Sequence, residues 1–143
     1  MTRDDAAPDE FAFFIGGYMG PSYAIELRDG VLEYRAMGRG FEPLEPETPR
    51  DHPDDVAPAD GPAWLAFFRV VERLGVWSWQ ERYEPTDVIT DGTQWELRLR
   101  RGDRVVHASG SNAYPGSEGP EPSKAFRSFL RAVRKLVGGR EVR

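Results

Sequence analysis

The dipeptide Asp29-Gly30 lies between two runs, Ser22–Arg28 and Val31–Met37, in which apolar and polar residues alternate. No other local feature restricts the chain as strongly. A two-residue type I′ loop needs positive φ at both central positions, which Asp-Gly accepts at little steric cost. A loop of that length also sets the register. Arg28 faces Val31, Leu27 faces Leu32, Ile25 faces Tyr34 and Tyr23 faces Ala36. The three apolar pairs then share one face. On the other face Glu26 meets Glu33, an unfavourable pair that Arg28 and Arg35 relieve from diagonal positions.

A second hairpin follows the same logic. Gln94–Arg100 puts Trp95, Leu97 and Leu99 on one side and Glu96, Arg98 and Arg100 on the other. Arg101-Gly102-Asp103 then turns the chain into Arg104–Gly110. The continuously apolar run Phe11–Gly17 predicts a buried strand, and Val76–Tyr83 predicts a strand with Trp77, Trp79 and Tyr83 on one face.

Two segments have helical period instead. In the first, Asp60 is an N-cap and Pro62 falls in the first turn. Trp64, Leu65, Phe67, Phe68, Val71 and Leu74 form its stripe, and Gly75 ends it. In the second, Ser123 caps a stripe of Phe126, Phe129, Leu130, Val133, Leu136 and Val137, closed by Gly138-Gly139. The expected fold is α+β: a mainly antiparallel sheet of about six strands with two amphipathic helices on one face. The two helices overlay, Trp64 on Phe126 and Val71 on Val133, so a duplicated βββα unit is one way to build the chain.

At 143 residues a single domain is expected. Its bounds read as 11–139, between disordered tails at 1–10 and 140–143. Inside it, residues 38–61 form a proline-rich loop with seven acids from Glu42 to Asp60 and no periodicity. A structureless connection of that length is unusual in a compact domain.

Composition removes several classes. Cysteine is absent, which excludes disulfides, thiolate metal sites and cysteine nucleophiles. The acidic N-terminus has no apolar signal-peptide core, and no run approaches the ~20 apolar residues of a membrane span. A cytoplasmic protein that does not engage the membrane is expected. Lys124 and Lys135 are the only lysines among 19 basic residues, a bias that suggests a GC-rich bacterial genome. The net charge of −5 is unevenly spread. Residues 1–60 hold 14 acids and 5 bases, whereas residues 61–143 hold 10 acids and 14 bases. Such a split points to a charged partner or to attraction between two parts of the chain.

The elements Trp77-x-Trp79, Asp91-Gly92-x-x-Trp95 and Gly110-Ser111-Asn112-Ala113-Tyr114-Pro115, followed by a C-terminal helix, resemble an uncharacterised family of bacterial proteins with a W…DGxxW…GxNxYP pattern. The resemblance covers roughly residues 77–137. It carries no chemistry, so it implies no activity, cofactor or site residue.

Three surfaces are candidates for function. The Gly110–Pro115 loop offers Ser111, Asn112 and Tyr114 to a small ligand, with two glycines that let it approach the backbone. The same residues also suit a strand-to-helix connection. Trp79 and Tyr83, with Trp77 and Trp95, would make either an aromatic platform or part of the core. Among catalytic groups there are only His52, in the proline-rich loop, and His107, mid-strand. Neither has metal-ligand spacing, so no metal or cofactor is expected. Asp87 and Asp91 flank a turn, and Asp91 could pair with His107 in a hydrolase.

The third surface is the last helix. Lys124, Arg127, Arg131, Arg134 and Lys135 recur at helical spacing opposite its apolar stripe. The expectation drawn from all of this is a non-catalytic binding or accessory domain, monomeric or weakly dimeric, with a protein partner on Arg127, Arg131, Arg134 and Lys135. The alternative is a small-ligand protein or hydrolase using the Gly110–Pro115 loop with His107 and Asp91. Nucleic-acid binding through the basic helix ranks third, because the chain as a whole is acidic.

Overall fold

The Asp29-Gly30 hairpin forms in the expected register, with Arg28 opposite Val31 and Tyr23 opposite Ala36. Both turn residues have positive φ, 50° and 80°. The Glu26–Glu33 pair is present and is relieved as its flanking cations suggest. Arg28 contacts Glu26 at 3.0 Å and Glu33 at 3.8 Å, and Arg35 reaches Glu33 at 3.5 Å. The computed structural model describes residues 7–17, 22–37, 56–57, 60–84, 93–117 and 121–142.

Around this hairpin the chain builds strands β1 (Glu10–Gly17), β2 (Ser22–Arg28), β3 (Val31–Met37) and β4 (Val56–Ala57), then helix α1 (Gly61–Leu74). Strands β5 (Arg82–Tyr83), β6 (Thr93–Arg101) and β7 (Arg104–Ser111) and helix α2 (Lys124–Leu136) follow. One sheet contains all seven strands in the order β4-β3-β2-β1-β6-β7-β5. Every pairing is antiparallel except that of β5 with β7. The fold is α+β, and β4 and β5 are two-residue additions at its edges.

β1 lies at the centre, between β2 and β6, which explains its apolar run. Phe11, Phe13 and Ile15 point to the helical side and are at most 2% exposed. Phe11 meets Trp64 and Phe67 of α1 edge-on, and Phe13 meets Phe129 of α2 at 5.4 Å. Both helices therefore pack on one face of the sheet. Asp60 caps α1 by accepting from the Ala63 amide at 2.9 Å, and Ser123 caps α2 by accepting from Phe126 at 3.0 Å.

Several expectations do not hold. Leu65 is 45% exposed: about 100° of helical rotation separates it from Trp64 and carries it off the stripe. The two halves do not repeat a βββα plan, because β1 pairs with β2 whereas β5 pairs with β7, in parallel. The expected tails are partly folded. Asp9 accepts from the Gly102 amide at 2.7 Å, Pro8 is buried, and Val142 is fully buried beyond α2. Residues 1–6 and Arg143 lie outside the described residues, as does most of the 38–61 loop, including His52.

The largest departure is Val76–Tyr83, which is not one strand. Val76–Ser78 form a 3-10 turn held by Ser78 N–H to Gly75 O and Trp79 N–H to Val76 O, both 2.9 Å. Only Arg82–Tyr83 join the sheet. The reason is packing at the end of α1. Val76 plugs the core, and the Trp77 ring lies parallel to Phe68, 6.2 Å between centroids, with the Arg104 guanidinium over the Trp77 ring at 4.7 Å. Glu72 accepts from the Trp77 indole at 2.9 Å and from Arg104 at 2.5 Å. Period-two tryptophans read as a strand because each ring needs a side to pack on, and a 3-10 turn provides that equally well.

Glu72 supplies a pH-dependent link in this cluster. The Arg104 hydrogen bond, joined by that of Trp77 and the nearby charge of Arg101, holds its carboxyl below the ordinary value against partial desolvation. A carboxyl depressed on folding adds stability above its unfolded pKa of about 4.3 and loses it as pH falls through the folded value. Glu72→Gln is therefore expected to lower the melting temperature at neutral pH, and the gap from wild type should close in acid below about pH 4. A gap that is constant with pH would mean that the carboxylate charge contributes nothing.

Candidate functional site

The Gly110–Pro115 loop is where β7 hands the chain to α2, and its residues are engaged in that task. Trp95 of β6 sits opposite Gly110 and donates its indole N–H to the Ala113 carbonyl at 2.9 Å. Gly110 has to lack a side chain. A Cβ there would stand 2.2 Å from the Ala113 oxygen and 2.5 Å from the indole nitrogen. Asn112 adopts left-handed φ (52°), its own N–H donates to Thr93 O at 2.8 Å, and its Oδ1 accepts from Thr93 N at 3.1 Å. Tyr114 is 2% exposed and packs on Phe126 at 4.7 Å. Burial pushes its phenol pKa up, opposed by a hydrogen bond with Thr93. Finally, Ser123 ties the loop to the cap of α2 through the Pro115 carbonyl at 2.5 Å.

The aromatic residues are likewise turned inward. Trp79 lies 5.2 Å from Phe129 and 5.9 Å from Trp95, and Tyr83 lies 6.0 Å from Trp95. The Tyr83 hydroxyl accepts from the Gln80 amide at 2.9 Å. Both side chains remain half-buried, at the margin of the core.

Of the ligand-site candidates, Ser111, His107 and Tyr83 come together, whereas Asn112, Tyr114 and Trp79 do not join them. The meeting place is a groove of about 770 Å³ on the sheet face away from the helices. Cross-strand register builds it. Phe14 of β1 faces Glu96 of β6, which faces Ser109 of β7, which faces Arg82 of β5. One row along, Gln94 faces Ser111, and on the other side Arg98 faces His107. The segment Glu81–Glu84 forms one wall. No helix among the described residues packs on this face.

Some of the charges in the groove are paired, whereas the exposed Glu81 carboxylate has no partner among the described residues. His107 Nε2 lies 2.8 Å from Glu96 Oε2, and Arg98 lies 3.5 Å from the same oxygen. Arg82 meets Glu84 at 3.7 Å. The His107 partner is thus Glu96, a residue that sequence reasoning assigned only to the outward face. Its signal was present. A two-residue Gly102-Asp103 loop puts Arg98 opposite His107 and so makes Glu96 its diagonal neighbour. Asp91 and Asp87 lie outside the described residues. No group of three or more potential metal ligands occurs among the described residues.

The third surface is the outer side of α2. Lys124, Arg127, Arg131 and Lys135 are exposed there, and α2 contains no acid. Arg134 is half-buried and donates to the Val142 carbonyl at 2.9 Å, so it serves the fold. Arg127 makes only a long 3.4 Å contact to the Pro122 carbonyl. Among the described residues Lys124, Arg131 and Lys135 meet no acid. Arg69 and Arg73 of α1 extend the exposed basic character of the helical layer.

No protein-family model and no curated protein matches the chain. No helix is long and apolar enough to cross a membrane among the described residues.

Proposed function

We propose that this protein is a non-catalytic binding domain whose partner is an acidic protein surface docking on the outer side of α2. The observation that supports this reading is a helix with five cations and no acid, none of which has an ion pair among the described residues; Arg127 and Arg134 reach only backbone carbonyls. Such a stripe repels itself, and an acidic partner relieves that repulsion and is steered toward it. Nucleic acid is the less suitable occupant because the chain carries a net charge of −5. Long-range repulsion then opposes a phosphate backbone.

The test compares wild type with Arg131→Glu/Lys135→Glu, leaving Arg134 intact because it holds the C-terminal segment. Each is immobilised in a lysate of the cells that make it, with nuclease, and retained proteins are quantified by mass spectrometry. An acidic partner is expected to be retained by wild type and lost about tenfold or more by the variant, equivalent to about 1.4 kcal/mol. It should also be released as added salt shortens the screening length from ~10 Å toward ~3 Å. Equal retention by the variant, at unchanged melting temperature, would overturn the proposal.

A further inference from the structure

We infer that the helix-free face of the sheet docks a second copy of this chain, related to the first by a two-fold axis along β1. This does not depend on the α2 reading, since α2 lies on the opposite side of the sheet. The face is made by the outward residues of β3, β2, β1, β6 and β7, in that order.

Register determines what such an axis brings together. One cross-strand row reads Glu33, Glu26, Ala12, Arg98 and His107 from β3 to β7. Rotation about β1 lays the β2 side of one copy over the β6 side of the other. Glu26 then faces Arg98 of the second copy, Glu33 faces its His107, and Ala12 meets its own counterpart on the axis. An isologous interface forms each of these contacts twice. One row further along, Arg28 comes over Arg100 of the second copy, a like-charge contact with Glu10 beside it.

Shape and apolar exposure agree with this arrangement. Ala12 and Ala24 leave a depression of about 170 Å³, bordered by Glu26, into which the long Glu96 and Arg98 side chains of the second copy descend. Val31 and Val105 are 39% and 59% exposed. Both lie on this face, two residues along from Glu33 and His107, and the same rotation sets Val31 toward Val105 of the second copy. Twisted sheets stack with their strands about 30° apart, so the match is tightest near the axis, at Ala12 and at Glu26 with Arg98.

Size sets the strength. Five strands about 4.8 Å apart and about seven residues long, at about 3.3 Å per residue, present a face of roughly 24 Å by 24 Å. Two such faces bury on the order of 1,200 Å² together, at the lower end for a specific complex, and partly desolvate charged groups. The dimer is therefore weak and concentration-dependent.

Sedimentation of the full chain tests this. The weight-average mass is expected to climb from that of one chain toward that of two between about 1 µM and about 1 mM. Glu26→Arg and Arg98→Glu, both at exposed positions, should each weaken self-association by about tenfold or more at unchanged melting temperature, because each reversal acts twice. An equimolar mixture of the two variants should associate as wild type does: one contact is native and in the other both charges are reversed. A mass that stays that of one chain throughout would overturn the inference. So would self-association that the single variants leave unchanged, or that their mixture fails to restore.

Discussion

Trp95→Ala is expected to destabilise the protein by about 3–5 kcal/mol, the usual cost of truncating a buried tryptophan. With a total stability of roughly 5–15 kcal/mol, that takes a large part of what holds the chain folded. The melting temperature should fall by on the order of 10 °C. The magnitude follows from how much converges on one ring. Trp95 is 2% exposed and lies 4.8 Å from Phe126, 5.9 Å from Trp79 and 6.0 Å from Tyr83. Its indole N–H also satisfies the Ala113 carbonyl, so truncation leaves both a cavity and an orphaned acceptor. Trp95→Phe separates the two losses. It keeps most of the packing and should cost about 1–3 kcal/mol for the carbonyl. Thermal denaturation followed by circular dichroism measures both variants. A loss below about 1 kcal/mol in Trp95→Ala would show that the Gly110–Pro115 loop does not depend on the indole.

Ending the chain after Gly139 is the second large effect, expected to cost about 2–4 kcal/mol. A disordered tail could be removed at no cost. Here Val142 is fully buried, its carbonyl accepts from Arg134, and the Glu141 carbonyl accepts from the Tyr34 hydroxyl at 2.7 Å. The Arg140 guanidinium lies over the Tyr34 ring at 5.6 Å. The segment thus ties α2 back to β3, two elements far apart in the chain. Val142→Ala should reproduce about 1 kcal/mol of the loss, and denaturant titration of both variants tests the assignment. An unchanged midpoint for the truncated chain would contradict the docking of this segment.

These two experiments concern the fold and leave both proposed binding surfaces intact. The basic side of α2 points away from the sheet, and the self-docking surface is the sheet's opposite face. Arg131→Glu/Lys135→Glu and Arg98→Glu therefore report on separate events. A shared loss would point to global destabilisation, which the melting temperature reveals.

Much of the candidate site was legible only as a set of faces. Alternation placed Glu96, Arg98 and Arg100 outward and Trp95, Leu97 and Leu99 inward, and so it is in β6. It did not say which outward residues would border a groove. That depended on β1 lying beside β6 and on Arg82–Tyr83 adding a wall beyond β7, pairings between segments far apart in the chain. The loop motif was misleading in the opposite sense. Asn112 and Tyr114 look like ligand-binding residues because polar, amphipathic and glycine-rich loops often are. Thr93 and Phe126 engage them in the fold instead.

By itself the sequence determined what neighbours in the chain decide between them. Loop length and residue type set the register of the β2–β3 hairpin and the relief of Glu26 against Glu33. Asp60 and Ser123 set where the helices begin. These depend on a few dihedral angles and short spacings, so each has one answer wherever the segment ends up. Tertiary structure decided the rest: the central place of β1, the 3-10 turn of Val76–Ser78, the docking of Val142 and the uncovered face that holds the groove. Each of those depends on which apolar surface is still unburied when the other elements have packed. That quantity belongs to the whole chain and to no window of it.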